Sequence, residues 1–391
     1  MSSDVESRVL PAQALPAWRR AVLKVGSNLL AADGGGLTTQ YALALAGFVA
    51  ASRAAGRQVV LVSSGAVAAG RALLREHVPA VGDLAARQAL AALGQAPMIA
   101  LWQSLSPSPV AQVLLTHDDL RNRRRYLNAR ATLRELLALG VLPVVNENDT
   151  VAVDELKLGD NDNLAAIVAA LVDADLLLIA SDIDALYSAD PRRDPLATPI
   201  TYVATLTPDV LAMAGGSGSA VGTGGMRTKL EAATKAAAAG IPTALFSGRE
   251  ASTVDALAQG TLYGTLVAAG SSRMQARKYW LRHAPAATGC IQVDAGAARA
   301  LAGGRASLLP GGMVEISGDF QRGDLVEIVD AAGKPVARGL CQYGAGEARR
   351  LAGRHSREIE QLLGYSYGAE VVHRDDLATL GDGETMGEIN A

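Results

Sequence analysis

The chain has 391 residues, 49% hydrophobic and 19% charged, which excludes a disordered polymer and is long for a single compact unit. With 36 Lys and Arg against 39 Asp and Glu the formal net charge is −3, and aromatics make up only 4%; both argue against a whole-chain electrostatic grip on nucleic acid and against a base-stacking surface. Cys290 and Cys341 are far apart and outside any CxxC, so neither a disulfide framework nor a cysteine zinc site is indicated, and a reducing, cytoplasmic setting is expected.

Residues 1–18 read as a flexible leader without an apolar core segment. Ala21–Val25 is a short apolar run ending in Gly26-Ser27, a buried strand and a turn, and helical patterning follows over Tyr41–Ala55 until Gly56 stops it. Gln58–Val62 is a second strand, leading through Ser63-Ser64-Gly65 into a small-residue helix, Ala66–Arg75. The alternation continues with strand Val110–Leu115, helix Arg123–Leu139, strand Val141–Val145, helix Leu164–Leu171, strand Leu176–Ala180, helix Lys229–Ala239 and strand Pro242–Phe246. Strands alternating with helices imply parallel crossovers, a sheet covered on both faces, and a ligand site at the carboxyl ends of the strands. The most apolar stretch, Leu164–Ala180, is interrupted by Asp173 and Asp175, so no membrane span is expected. From about residue 270 the texture changes to short strands between glycine turns, at Ile291–Val293, Met313–Ile316, Leu325–Val329 and Val336–Cys341. The expected division is a first domain over 19–270, a linker over 271–287, a small all-β barrel over 288–370 and a tail over 371–391.

Familiar signatures are absent or incomplete. Gly333-Lys334 is followed by Pro335, so there is no P-loop, and His373-Arg-Asp375 lacks every companion motif of a protein kinase. What remains are strand-end loops expected at one edge of the sheet. Lys24-Val-Gly26-Ser27 places a cation beside backbone able to approach an anion, and Ser63-Ser64-Gly65 exposes hydroxyl and N–H groups at a helix start. Asn146-Glu147-Asn148-Asp149 and Gly159-Asp160-Asn161-Asp162-Asn163 crowd acids and amides that are costly to bury unless they bind something, such as a substrate with an ammonium group. Gly222–Lys229 is a glycine loop running into a helix, suited to polyphosphate, and Ser181-Asp182 adds an acid at the next strand end.

These segments resemble the amino-acid kinase family in order and spacing over nearly the whole chain: LKVGS at Leu23–Ser27, VSSGAVAAG at Val62–Gly70, PVVNENDTV at Pro143–Val151, GDNDNLAA at Gly159–Ala166 and GTGGMRTK at Gly222–Lys229. Within the family the likeness is to the branch acting on L-glutamate, and the C-terminal strands are similar to a PUA domain. The resemblance implies an α/β fold, a three-layer α/β/α mostly parallel sheet followed by a small all-β PUA-like barrel. It implies ATP-dependent phosphorylation of the γ-carboxylate of L-glutamate, the entry step of proline biosynthesis, with Mg²⁺ carried by the nucleotide and no metal ligand from the protein. By this likeness Lys24 and Lys229 stabilise the transferring phosphoryl group and Asp162 holds both lysines in register. Lys24, Ser181, Asp182, Thr223, Gly224, Gly225, Met226, Arg227, Thr228 and Lys229 then bind ATP, while Ser64, Asp149 and Asn161 bind glutamate with Asn146 and Asp160 in support. Feedback inhibition by proline, transient hand-over to glutamate-5-semialdehyde dehydrogenase and a homo-oligomer are further implications. One departure is Ala185, which stands where relatives carry the glycine of a (T/S)DxxGLY sequence and is expected to alter the nucleotide-loop backbone. Two alternatives stay open. One is a kinase for another small acid, such as aspartate or acetylglutamate, although the latter lacks the ammonium group that an acidic Asn146–Asp149 loop would bind. The other is an RNA-binding protein with a vestigial kinase domain, against which Glu315, Asp319, Asp324, Glu327 and Asp330 dilute any basic stripe.

Overall fold

The structure, a computed structural model, describes residues 10–32, 36–74, 84–152, 161–214, 225–270, 281 and 287–380. The chain divides into two compact units, with the main break between Arg273 and Met274.

The first unit is built on an eight-stranded sheet: β1 (Arg20–Val25), β2 (Gln58–Ser63), β3 (Val110–Leu115), β4 (Leu142–Glu147), β5 (Leu176–Ser181), β6 (Tyr202–Val203), β7 (Thr243–Ser247) and β8 (Gly264–Val267), in the order β3-β4-β2-β1-β5-β7-β8-β6. All neighbours are parallel except β7 and β8. The central strands read as unbroken apolar runs such as Leu176–Ala180 because helices cover both faces. Alternation within each strand divides the core. Leu23, Val25, Leu61, Leu178 and Phe246 meet α1 (Ala42–Ala54), the later part of α2 described below, and a helix over Ala251–Ala258. Their neighbours, including Val22 and Lys24, point the other way, by the period-2 geometry of a strand.

Two helices follow β2: Ala66–Leu74, and α2 (Leu84–Leu105), a 22-residue helix that patterning did not predict. It escaped because its apolar residues form no single stripe and because Gly94 and Pro97 interrupt a helical reading. Small residues instead let the two backbones touch. A Cβ on Gly94 would stand 1.7 Å from the Ala66 carbonyl oxygen, and one on Gly70 would stand 1.9 Å from that of Leu90. Beyond β3 come α3 (Arg123–Ala138), α4 (Asn161–Leu171) and α5 (Met226–Ala238). The last two begin three residues earlier than the hydrophobic periodicity predicts, so Asn161, Asp162 and Met226–Thr228 sit in first helical turns rather than in loops.

The second unit carries a five-stranded sheet of β9 (Gly289–Val293), β10 (Met313–Gly318), β11 (Leu325–Val329), β12 (Pro335–Leu340) and β13 (Leu377–Thr379), ordered β10-β9-β11-β12-β13. Ile291, Phe320, Val326, Ile328, Tyr343 and Val372 fill its core. Two features correct the sequence reading. Helices Ala295–Ala302, capped by Asp294 accepting from the Ala297 N–H at 2.7 Å, and Ala345–Leu351 accompany the strands. Residues 377–379 form an edge strand rather than the expected tail, because Gly339 of β12 lets the chain pass close by, a Cβ there lying 2.9 Å from the Asp376 carbonyl oxygen. Among the described residues no helix is long and apolar enough to cross a membrane.

Candidate active site

Parallel pairing of β1, β2, β4, β5 and β7 brings their carboxyl ends to one edge, so residues far apart in sequence meet there. Ladder bonding continues past the strands: the Gly26 N–H donates to the Ala180 carbonyl at 3.2 Å and the Ser64 N–H to that of Val25 at 3.3 Å. Gly65 adopts φ +108°, a left-handed conformation that glycine takes without strain, and so turns the chain from Ser64 into the following helix.

The centre of the edge is ionic. Lys24 of β1, Lys229 of α5 and Asp162 of α4 are buried together, the lysines 5% exposed and the aspartate 0%. The register that turns Leu23 toward α1 turns Lys24 toward α4, where the first helical turn presents Asp162. One Asp162 oxygen pairs with the Lys24 ammonium and the other with that of Lys229 at 3.2 Å. The Thr228 hydroxyl lies 3.0 Å from the second oxygen and 2.9 Å from the Gly225 carbonyl oxygen. Burying three ionised groups is tolerable only because they neutralise one another, and the cluster keeps one net positive charge. Behind it Lys235 donates to Asn163 Oδ1 at 2.7 Å, tying α5 to α4.

Beside this centre Asn161 gathers the neighbouring strand ends. Its Nδ2 lies 2.8 Å from Ser64 Oγ, 2.9 Å from Asn146 Oδ1 and 3.2 Å from the Ser63 carbonyl oxygen. Asp149 is half-buried, three residues beyond buried Asn146. On the other side of β1, buried Ser181 ends β5, and exposed Asp182 receives bonds from Asn28 Nδ2 at 2.9 Å and Ser181 Oγ at 3.2 Å. Partial burial pushes the Asp182 carboxyl up, but those donors, its own backbone N–H and the Arg249 charge outweigh it and hold the group below the ordinary carboxylate value.

Ser64, Asn146, Asn161, Asp162, Lys24 and Lys229 thus form one contiguous set, with Ser181 and Asp182 one strand away. Gly225 is the extended residue before α5, Met226 is half-buried, and Arg227 is turned to the surface, 3.0 Å from Glu231. Asp160, Thr223 and Gly224 lie outside the described residues. The backbone of Ala185 stays outside the left-handed region, and its methyl is buried with Leu10, Tyr187 and Ala197, so no strain follows from the missing glycine. Asn28, in the 3-10 turn Ser27–Leu29 that follows Gly26, also belongs to this edge without a marked sequence signal. Trp102 supports the edge from behind, its indole N–H donating to Ser63 Oγ at 2.8 Å beneath the Ser64 turn. No local signal marks Trp102, because its role depends on α2 crossing behind β2.

Residues 19–247 match the model of the amino acid kinase family. The chain belongs to the amino acid kinase family. As a member of it the chain uses ATP, and a second match, to the PUA domain, covers residues 289–363. The chain is 69% identical to glutamate 5-kinase of Xanthomonas euvesicatoria pv. vesicatoria, over 92% of this chain and 100% of that protein. It is 66% identical to glutamate 5-kinase of Xylella fastidiosa strain M12, over 95% and 97% of the two chains. Among solved structures, UMP kinase from Bacillus anthracis aligns with 66% of this chain and 98% of its own at 15% identity and a TM-score of 0.45.

Proposed function

We propose that this amino acid kinase transfers the γ-phosphoryl group of ATP to the γ-carboxylate of L-glutamate, giving L-glutamyl 5-phosphate and ADP, the first step of proline biosynthesis. The observation that carries the reading is the buried Lys24–Asp162–Lys229 bridge at the strand ends, in a chain 69% identical to a glutamate 5-kinase over that protein's whole length. A γ-carboxylate oxygen forms the new bond to the γ-phosphorus as the bond to the β–γ bridging oxygen breaks, and ADP leaves with that electron pair. The attacking carboxylate is already ionised at neutral pH, so no general base is required. Positioning and charge stabilisation supply the acceleration.

In this reading Lys24 and Lys229 face the phosphoryl group in flight, and Asp162 fixes their separation without quenching the cluster's net positive charge. Ser64 and Asn161 bind the glutamate carboxylates and Asp149 its ammonium, with Asn146 and Asp160 in support. Ser181, Asp182 and Thr223–Lys229 hold the nucleotide. Mg²⁺ carried with ATP would supply neutralisation of the phosphate charge. Each Asp162 oxygen is engaged by an ammonium group, so the ion would be held chiefly by the nucleotide's phosphates. The kinase unit is assigned to 19–270. Proline as a feedback inhibitor near the glutamate site, hand-over of the acyl phosphate to glutamate-5-semialdehyde dehydrogenase, a homo-oligomer and a cytoplasmic setting complete the reading.

The test is ATP- and Mg²⁺-dependent formation of γ-glutamyl hydroxamate, with hydroxylamine trapping the acyl phosphate and L-glutamate, aspartate and acetylglutamate compared side by side. Signal with glutamate alone supports the reading. Turnover only with another acid overturns the substrate, and silence with all three overturns the activity.

A further inference from the structure

Residues 10–18 fall within the expected flexible leader, yet they are held against the first unit. Gln13 and Ala14 pair antiparallel with Leu262 and Thr261, and the Leu15 N–H donates to the Gly260 carbonyl at 2.8 Å. Leu15 and Trp18 then enter the main core, whereas Leu10 joins a separate buried cluster with Ala185, Tyr187 and Ala197. Leu10 is 8% exposed there and Ala185 1%, so the cluster is closed to water.

Ala185 lies three residues beyond Asp182, on the segment leading away from the end of β5. Within that segment the Ile183 N–H donates to Ser181 Oγ at 3.3 Å, the Tyr187 hydroxyl to Asp184 Oδ2 at 3.0 Å, and the Leu186 N–H to Thr265 Oγ1 at 2.8 Å. Thr265 in turn donates to the Ile200 carbonyl at 2.6 Å. Gln13 clasps the same two backbones one residue away, its Nε2 lying 2.9 Å from both the Thr201 and the Gly264 carbonyl oxygens. The leader therefore supports the segment twice: Leu10 shares a core with Ala185, and Gln13 fixes the strand ends from which Thr265 holds Leu186. Such contacts restrict backbone that would otherwise sample several conformations, and a loop that holds its binding geometry only part of the time binds proportionally more weakly.

We propose that the leader is a positioning element for the nucleotide: Leu10, packed in the cluster around Ala185, keeps Ser181 and Asp182 in the geometry that receives ATP. This rests on the assignment of the nucleotide to Ser181 and Asp182, and Asp182→Ala is the control that tests that assignment by itself.

Calorimetric titration of the full chain with Mg²⁺ and adenylyl imidodiphosphate, a non-hydrolysable ATP analogue, tests the proposal together with steady-state hydroxamate assays. Leu10→Ala is expected to weaken the analogue and raise the ATP KM about fivefold or more, while kcat and the glutamate KM stay within about twofold of the parent. Leu10→Met keeps the volume and is expected to stay within about twofold throughout. Ala185→Gly withdraws a methyl from the same cluster and is expected to weaken the analogue as well. In the double variant Leu10→Ala/Ala185→Gly the loss is expected to fall short of the product of the single effects, as for groups acting through one contact. All variants are assayed well below their unfolding midpoints, set by circular dichroism, so that lost stability alone does not register. With Asp182→Ala weakened, any of four results would overturn the proposal: unchanged analogue affinity in Leu10→Ala, an equal rise in its glutamate KM, the same loss in Leu10→Met, or multiplicative effects in the double variant. Unchanged affinity in Asp182→Ala would instead overturn the nucleotide assignment, and the proposal with it.

Discussion

Asp162→Asn is the most informative substitution at the strand ends, because it changes one charge and almost no volume. The Lys229 ammonium lies 3.2 Å from one Asp162 oxygen, with Lys24 on the other. At that distance an effective dielectric of about 20 gives each pair about 5 kcal/mol of attraction, most of it offset by the desolvation of three buried ions. Removing the shared partner leaves two ammonium groups buried side by side, and breaking a buried pair in this way costs about 3–5 kcal/mol. Bound Mg·ATP returns negative charge to the same place, so the deficit is expected to shrink on addition of nucleotide. Urea unfolding of parent and variant, with and without Mg·ATP, reads both effects. Hydroxamate turnover is expected to fall about 10²–10³-fold, since the lysines lose the carboxylate that sets their separation. A nucleotide-free variant unfolding within about 0.5 kcal/mol of the parent would refute the argument that Asp162 neutralises the cluster.

Lys229→Ala is expected to lower kcat about three decades, roughly 4 kcal/mol in the barrier, and wild-type turnover would remove Lys229 from the transfer step. Asp149→Ala is expected mainly to raise the glutamate KM in steady-state assays, as for loss of a ground-state contact. Gly94→Ala forces a Cβ to 1.7 Å from the Ala66 carbonyl oxygen, so urea unfolding is expected to show about 3 kcal/mol of destabilisation. Asp182 titrates below its ordinary value, so its contribution to stability is present above about pH 4 and is lost as pH falls through the depressed folded value. Asn28→Ala removes a donor, raises that folded value and narrows the window from below, which an NMR titration of the Asp182 carboxyl checks; an unmoved titration would detach Asn28 from Asp182.

Much of the first unit is legible along the chain because a parallel sheet buried on both faces needs continuous apolar strands, and Leu176–Ala180 or Gln58–Val62 can be little else. The strand-end polar groups are legible for the same reason: Asn146, Asp162 and Lys229 stand out beside apolar runs. The 22-residue α2 is not, since its packing rests on Gly70 and Gly94 meeting another backbone rather than on an amphipathic stripe. The helices of the second unit are hidden among glycine turns, although Asp294 before Ala295–Ala302 is an ordinary capping signal.

The amino-acid sequence by itself determined which residue types stand at the strand ends, because hydrophobic periodicity and turn residues are local and need no partner to be read. Tertiary structure decided which of them touch. Lys24 and Lys229 are separated by 205 positions, and only the parallel register of β1, β2 and β5, with α4 and α5 starting at the same edge, sets both ammonium groups on one aspartate. The same holds for Trp102 under Ser63: a side chain's partner is a property of neighbours in space, which chain order does not encode until the sheet has formed.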